Sequence, residues 1–306
     1  MRVVVLGAAA GGGVPQWNCN CDICRAARGP RQELRATQAS VAVSVDDEHW
    51  FLVNASPDLR QQLMAAPQLH PKNGHLRHSP ICGVILTNGE VDAIAGLLSL
   101  REGSPFTIHA HRHVLSVLDT NSIFNVLDRK RVPREPIEID MAFEPRLPDG
   151  TASGLEILAF AAPGKRAWYL EGMAQADAEE GDTLGLRIAD KKSGEYCYFL
   201  AACAALTPDL RQRLRDAPLV FFDGTLWRDD ELIAAGLGAK TGQRMGHVSM
   251  SGEDGVIAAL ADLGIGRKIF LHINNSNRAL LPDSDERAAI ERAGWQIPSD
   301  GTEIVF

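Results

Sequence analysis

A chain of 306 residues, 45% apolar and 23% charged, holds enough material for a full hydrophobic core, which excludes a stapled mini-protein or a disordered tail. With 31 basic against 39 acidic residues the formal charge is -8, so long-range electrostatics repel nucleic acid and anionic membrane surfaces alike. The first apolar run, Val3 to Leu6, stops at Gly7, and no segment stays apolar for the roughly 18 residues of a membrane span. The expectation is a cytoplasmic chain with reduced thiols, no membrane insertion and no nucleic-acid partner.

Val3 to Leu6 followed by Gly7, Gly11, Gly12 and Gly13 reads as a buried strand entering a glycine-rich loop. Ala39 to Val45 and Trp50 to Val53, joined by the acidic turn Asp46 to Glu48, predict a hairpin. Pro57 then opens a helix over Asp58 to Ala65 with Ser56 as its N-cap. Gly83 to Leu86 is a strand, and the apolar spacing from Ile94 to Leu100 is helical. Arg129, Lys130 and Arg131 fall on a solvated loop before Pro133.

The pattern repeats in the second half. Leu184 to Ile188, Tyr196 to Leu200, Leu219 to Phe222 and Lys268 to Leu271 read as strands, with helices over Pro208 to Leu214 and Gly255 to Leu263. Glu171 to Gly181, with Asp177, Glu179 and Glu180, is the expected mobile acidic loop. Two halves of strands followed by helices predict two sheets face to face with helices outside. No repeat of solenoid length and no linker divides the chain, so residues 1–306 are expected to form one domain.

Cys19, Cys21 and Cys24 form a C-x-C-x-x-C cluster, and three thiolates so close in a reducing compartment suit three vertices of a structural zinc site. Asn88, Glu90 and Asp92 follow directly on a strand, where a tight loop turns hard oxygen ligands inward. Asp223, His247 and His272 each end an apolar run, and strand ends along one sheet edge are where α/β active sites gather. His109, His111 and His113 straddle a strand–helix boundary, which favours surface positions with diverging rings. His70, His75 and His78 read as a solvated loop. The markers of a serine hydrolase, a P-loop NTPase and a Rossmann dehydrogenase are absent from the sequence.

The segments LGAAAGGGVPQWNCNCDIC, RATQAS, FLVNASPDLRQQL, LTNGEVDAIAGLLSLRE, FFDGTLWRDDEL, MGHVSMSG and LHINNSNRALL together resemble the PqqB family of pyrroloquinoline quinone (PQQ) biosynthesis, over nearly the whole chain. That family resembles the metallo-β-lactamase superfamily, which implies a four-layer αββα sandwich with a metal site where loops of both sheets meet. The superfamily motif H-x-H-x-D-H falls on Asn88 to Ala93, so that Asn88, Glu90 and Ala93 stand where histidines are usual and Asp92 alone keeps the ligand type. In the PqqB pattern, too, a histidine is expected after the aspartate.

The resemblance implies a mononuclear site of Glu90, Asp92, Asp223, His247 and His272 that holds Fe(II), with Glu90, Asp92 and Asp223 as its catalytic carboxylates. The implied reaction is oxygen-dependent hydroxylation of the tyrosine-derived ring of a Glu-Tyr crosslinked diamino acid, with other proteins of the pathway as further partners. Related phosphodiesterases use the position of His272 for the active site and that of Asn275 for the zinc knot, but an Asn oxygen is a poor zinc ligand, so the fourth ligand beside the thiolates stays open between Asn275 and His272, with His272 assigned to the active-site edge. Two alternatives stay open: a non-catalytic carrier of PQQ or its precursor assisting transport to the periplasm, and a hydrolase with two metals at the edge site.

Overall fold

The computed structural model describes residues 1–170 and 179–306, and these form two seven-stranded sheets. The first orders β14 (Glu303–Val305), β1 (Arg2–Gly7), β2 (Ser40–Ser44), β3 (Trp50–Val53), β4 (Ile81–Leu86), β5 (Thr107–Ala110) and β6 (Arg134–Pro136). The second orders β13 (Trp295–Gln296), β12 (Arg267–Leu271), β11 (Leu219–Asp223), β10 (Tyr196–Leu200), β9 (Leu184–Asp190), β8 (Leu155–Ala161) and β7 (Ala142–Phe143). Each sheet is antiparallel at one end and parallel from β3 to β6 or from β10 to β13.

Three apolar clusters follow from this layering. Val3, Val5, Phe51 and Ile85 meet Leu186, Phe199, Phe221 and Ile269 between the sheets. Alternate residues of the same strands, such as Val4, Leu52 and Val84, pack outward under the helices of the first half. Phe222, Phe270 and Trp295 do the same for the second half, with Phe270 stacked on Trp295 at 4.0 Å. Strands buried on both faces read as unbroken apolar runs, which is why β1, β4 and β11 stand out in the sequence.

Several local expectations need correction. The helix after Pro57 spans Leu59–Ala65 with Asp58 at its N-cap, while Ser56 Oγ bonds Gln62 Oε1 instead of capping. The Ile94 to Leu100 stretch is a 3₁₀ segment, Ala95–Leu100, after a single α-turn, Val91–Ile94, and a Cβ at Gly96 would clash with the Ser56 carbonyl oxygen. Only Val256–Ala259 is helical within Gly255 to Leu263. His109 and His111 are buried, not on the surface. His109 points from β5 against Phe143 at 5.2 Å, where burial pushes its imidazole down to about 4. His111 caps the helix Arg112–Thr120.

Among the described residues no helix is long and apolar enough to cross a membrane. Of the acidic segment Glu171 to Gly181, residues 171–178 lie outside the described residues. Glu179 and Asp182 both reach His113, at 3.2 Å each. The shared core sets the stability of the sandwich: Phe221→Ala is expected to lower unfolding free energy by about 3–5 kcal/mol in chemical denaturation, whereas Val305→Ala on the exposed edge strand β14 stays within about 0.5 kcal/mol.

Candidate metal centre and cavity

The C-terminal ends of β1, β11 and β12 converge on one edge and are laced by backbone bonds. Gly224 N donates to Leu271 O, Ile273 N to Ala8 O, Ala10 N to Ile273 O and Asn274 N to Thr225 O. His272 lies between the bonded residues Leu271 and Ile273, and its φ of +57° places it in the left-handed region that a β-substituted residue enters at a cost. The bonds on both flanks over-determine this conformation and aim the imidazole inward. His247 is placed by a different device: Gly246, at φ +91°, ends the short helix Gly242–Met245 and turns the chain.

Asp223, fully buried at the end of β11, is the centre of the arrangement. Its Oδ2 accepts the Cys203 N–H at 2.9 Å and lies 2.7 Å from His247 Nδ1. Oδ1 accepts the N–H and the hydroxyl of Thr225, at 3.0 and 2.6 Å. Thr225 Oγ1 also meets His247 Nδ1 at 3.0 Å and His272 Nδ1 at 2.8 Å, and the two imidazoles stack with centroids 5.0 Å apart. Ligand atoms of Asp223, His247 and His272 all lie within 4.8 Å of one another.

Asp92 joins from the first half, with Oδ2 2.9 Å from His272 Nε2. Burial pushes the Asp92 carboxyl up, but the His272 hydrogen bond and charge hold it below the usual range. Burial likewise opposes protonation of His272, and Asp92 overcomes it, holding the imidazole above its ordinary value. The glycine loop closes on this pair: a Cβ at Gly11 would lie 3.3 Å from Asp92 Oδ2.

Glu90 is drawn elsewhere. Its Oε1 accepts the Trp168 N–H at 3.0 Å and pairs with Lys165 Nζ at 3.2 Å. Burial raises its carboxyl above the usual range, against the pull of Lys165. Asn88 Oδ1 accepts the Glu90 N–H, and Ala93 packs in the apolar cluster under the first sheet, away from the cavity.

These groups line a cavity of about 540 Å³, within the range of small-molecule sites. Gly11, Gln38, Glu90, Asp92, His247 and His272 form its polar wall, and Trp168, Leu232 and Met245 contribute apolar surface. Lys165 and Lys240 also line it. Thr225, Lys165 and Lys240 escape the sequence reading. Thr225 lies two residues beyond Asp223 in the FFDGTLW segment, which was its one available signal, and nothing in the sequence marks the lysines.

The thiols assemble at the start of the helix Asp22–Arg28. Cys19 Sγ accepts the Cys21 N–H and Cys21 Sγ the Cys24 N–H, both at 3.5 Å, and the three sulfurs lie within 4.8 Å of one another. Burial pushes the Cys24 thiol up to about 11, whereas at Cys19 burial is outweighed by hydrogen bonds from Cys21, Cys24 and Asn275, which hold its thiol below the ordinary value. Three soft donors in such a cluster fit zinc. Asn275 faces them with Nδ2 3.3 Å from Cys24 Sγ, while His272, three residues earlier, belongs to the cavity edge.

Residues 49–273 match the family described as the beta-lactamase superfamily domain. Over 308 aligned residues and the full length of both chains, the protein is 69% identical to coenzyme PQQ synthesis protein B of Rhodopseudomonas palustris strain BisB5. This chain belongs to the coenzyme PQQ synthesis protein B family. It is 55% identical to the Gluconacetobacter diazotrophicus member, over 99% of this chain and 98% of that one. The Zn(2+)-bound PqqB of Methylobacterium extorquens superposes with a TM-score of 0.94 at 48% identity, covering both chains completely. A diphosphatase of the PhnP family, at 20% identity and a TM-score of 0.69, shares the fold over 100% of this chain and 98% of its own. The two sheets with outer helices are the α/β metallo-β-lactamase sandwich of this superfamily.

Since Thr225 Oγ1 links the carboxylate to both imidazoles, it orients all three. Thr225→Val is expected to keep the fold by circular dichroism and to weaken divalent-metal binding at this edge by about 10- to 100-fold in a titration. An unchanged affinity would show that the hydroxyl does not set the ligand geometry.

Proposed function

We propose that the chain serves PQQ biosynthesis as one metallo-β-lactamase-like domain, stabilised by zinc at Cys19, Cys21 and Cys24, with Asn275 beside them, and that it hydroxylates the tyrosine-derived ring of the Glu-Tyr crosslinked precursor. Its place in the pathway rests on full-length identity to relatives named for it, and zinc on the thiol cluster and the zinc-bound relative. The finer reading rests on one observation: Asp223, His247 and His272 converge where a 540 Å³ cavity opens. Two imidazoles and one carboxylate are the donor set of non-haem Fe(II) oxygenases.

Asp223, His247 and His272 would hold the iron, with Asp92 set against His272. Bound there, iron supplies the oxygen chemistry of hydroxylation. Overall a ring C–H becomes C–O–H, dioxygen gives one atom to the product, and the other leaves as water with two electrons and two protons from an external reductant. The protein's own groups do the rest. Thr225 fixes the Asp223 carboxylate through Oδ1, Asp92 holds the proton at His272 Nε2 so that Nδ1 is the nitrogen left for the iron, and the glycine loop and Trp168 border the space the ring occupies.

A carrier reading has its own support, since Asn88, Glu90 and Ala93 stand where the superfamily places histidines. Metal content after purification without oxygen separates the readings. The hydroxylase predicts about one zinc and about one iron per chain, with oxygen uptake on adding the crosslinked diamino acid. Zinc alone, with tight PQQ binding and no oxygen uptake, would overturn it in favour of the carrier. Two edge metals beside the zinc would overturn it in favour of a hydrolase.

A further inference from the structure

The cavity wall carries an ion pair that the metal group does not use. Glu90 comes from the loop after β4 in the first sheet, and Lys165 from the loop after β8 in the second. Their charged atoms lie 3.2 Å apart, both residues line the cavity, and neither is fully buried. Glu90 is fixed twice more, through Oε1 by the Trp168 N–H and through its own N–H by Asn88 Oδ1. Its carboxylate therefore faces an ammonium and a backbone donor, and lies outside the Asp223, His247 and His272 group.

We propose that Glu90 and Lys165 form the element that reads an amino-acid end of the substrate, the Lys165 ammonium taking an α-carboxylate and the Glu90 carboxylate taking the adjacent α-ammonium. This deepens the reading of the cavity as the site of a diamino acid and rests on it. A zwitterion carries its two charges as close together as this pair does, so it docks head to tail and closes a ring of four alternating charges. Each charge keeps an opposite neighbour throughout, so little uncompensated desolvation accompanies the exchange. Charge-assisted bonds to groups already fixed by the backbone give direction as well as affinity.

The test is calorimetric binding to the metal-loaded protein of three probes: the Glu-Tyr crosslinked diamino acid, its N-acetylated form and its methyl ester. Lys165→Met and Glu90→Gln are each expected to weaken the diamino acid about 10-fold or more. Lys165→Met adds no further loss for the ester, and Glu90→Gln none for the N-acetyl form. Lys165→Arg restores carboxylate affinity, and iron and zinc content stay at wild-type levels in every variant. Where turnover is measurable, the loss falls on KM more than on kcat. Retention of this binding pattern without oxygen uptake would sink the hydroxylase and leave the recognition element standing. Loss of iron in Glu90→Gln with unchanged probe binding would overturn the proposal and make Glu90 a ligand. Wild-type affinity of both variants for all three probes, or no binding of the diamino acid to the wild type, would overturn it as well.

Discussion

A carboxylate with no solvent exposure needs hydrogen-bond donors in place of water, and Asp223 obtains them from three different segments. Cys203 N–H comes from the loop after β10, Thr225 from the turn after β11, and His247 from the end of the helix Gly242–Met245. Satisfying this one group fixes where those loops run. The backbone bonds between Gly224 and Leu271 and between Asn274 and Thr225 then carry the constraint to His272. The positive φ of His272 persists because its neighbours on both sides are already bonded, so the strain is held by the same lattice that positions the ring.

Much of the site is legible in the sequence, since a polar residue ending an unbroken apolar run lies at the rim of a buried sheet. Asp223 ends β11 and His272 follows β12 in this way, and the spacing of Cys19, Cys21 and Cys24 places three sulfurs on adjoining turns. What escapes is whatever depends on how loops from distant segments approach one another. Lys165 meets Glu90 from 75 positions further along the chain and carries no local mark, and Thr225 looks like an ordinary turn residue until the imidazoles stack beside it. The same reason hides β6, β7, β13 and β14. Each is two or three residues long and exists only through its partner strand. His109 and His111 mislead in the other direction, because polarity suggests a surface where the sandwich closes over them.

The near-symmetry of the two sheets makes the asymmetry of the site informative. Both halves bring parallel strand ends to the same edge, yet Asp223, His247 and His272 all come from the second half. Among the described residues of the first half, Asp92 is the one whose side chain bonds to this group. Two metals at this edge would draw on the loop after β4, where every candidate position but Asp92 is committed elsewhere. Asn88 Oδ1 accepts the Glu90 N–H, Glu90 is paired with Lys165, and Ala93 offers a methyl group to the apolar cluster. The first-half loop thus presents charge pairing along the cavity wall where the superfamily motif carries histidines. That pairing supports the proposed single metal with open positions, beside the wall proposed to hold an amino acid, over two metals sharing a bridging hydroxide.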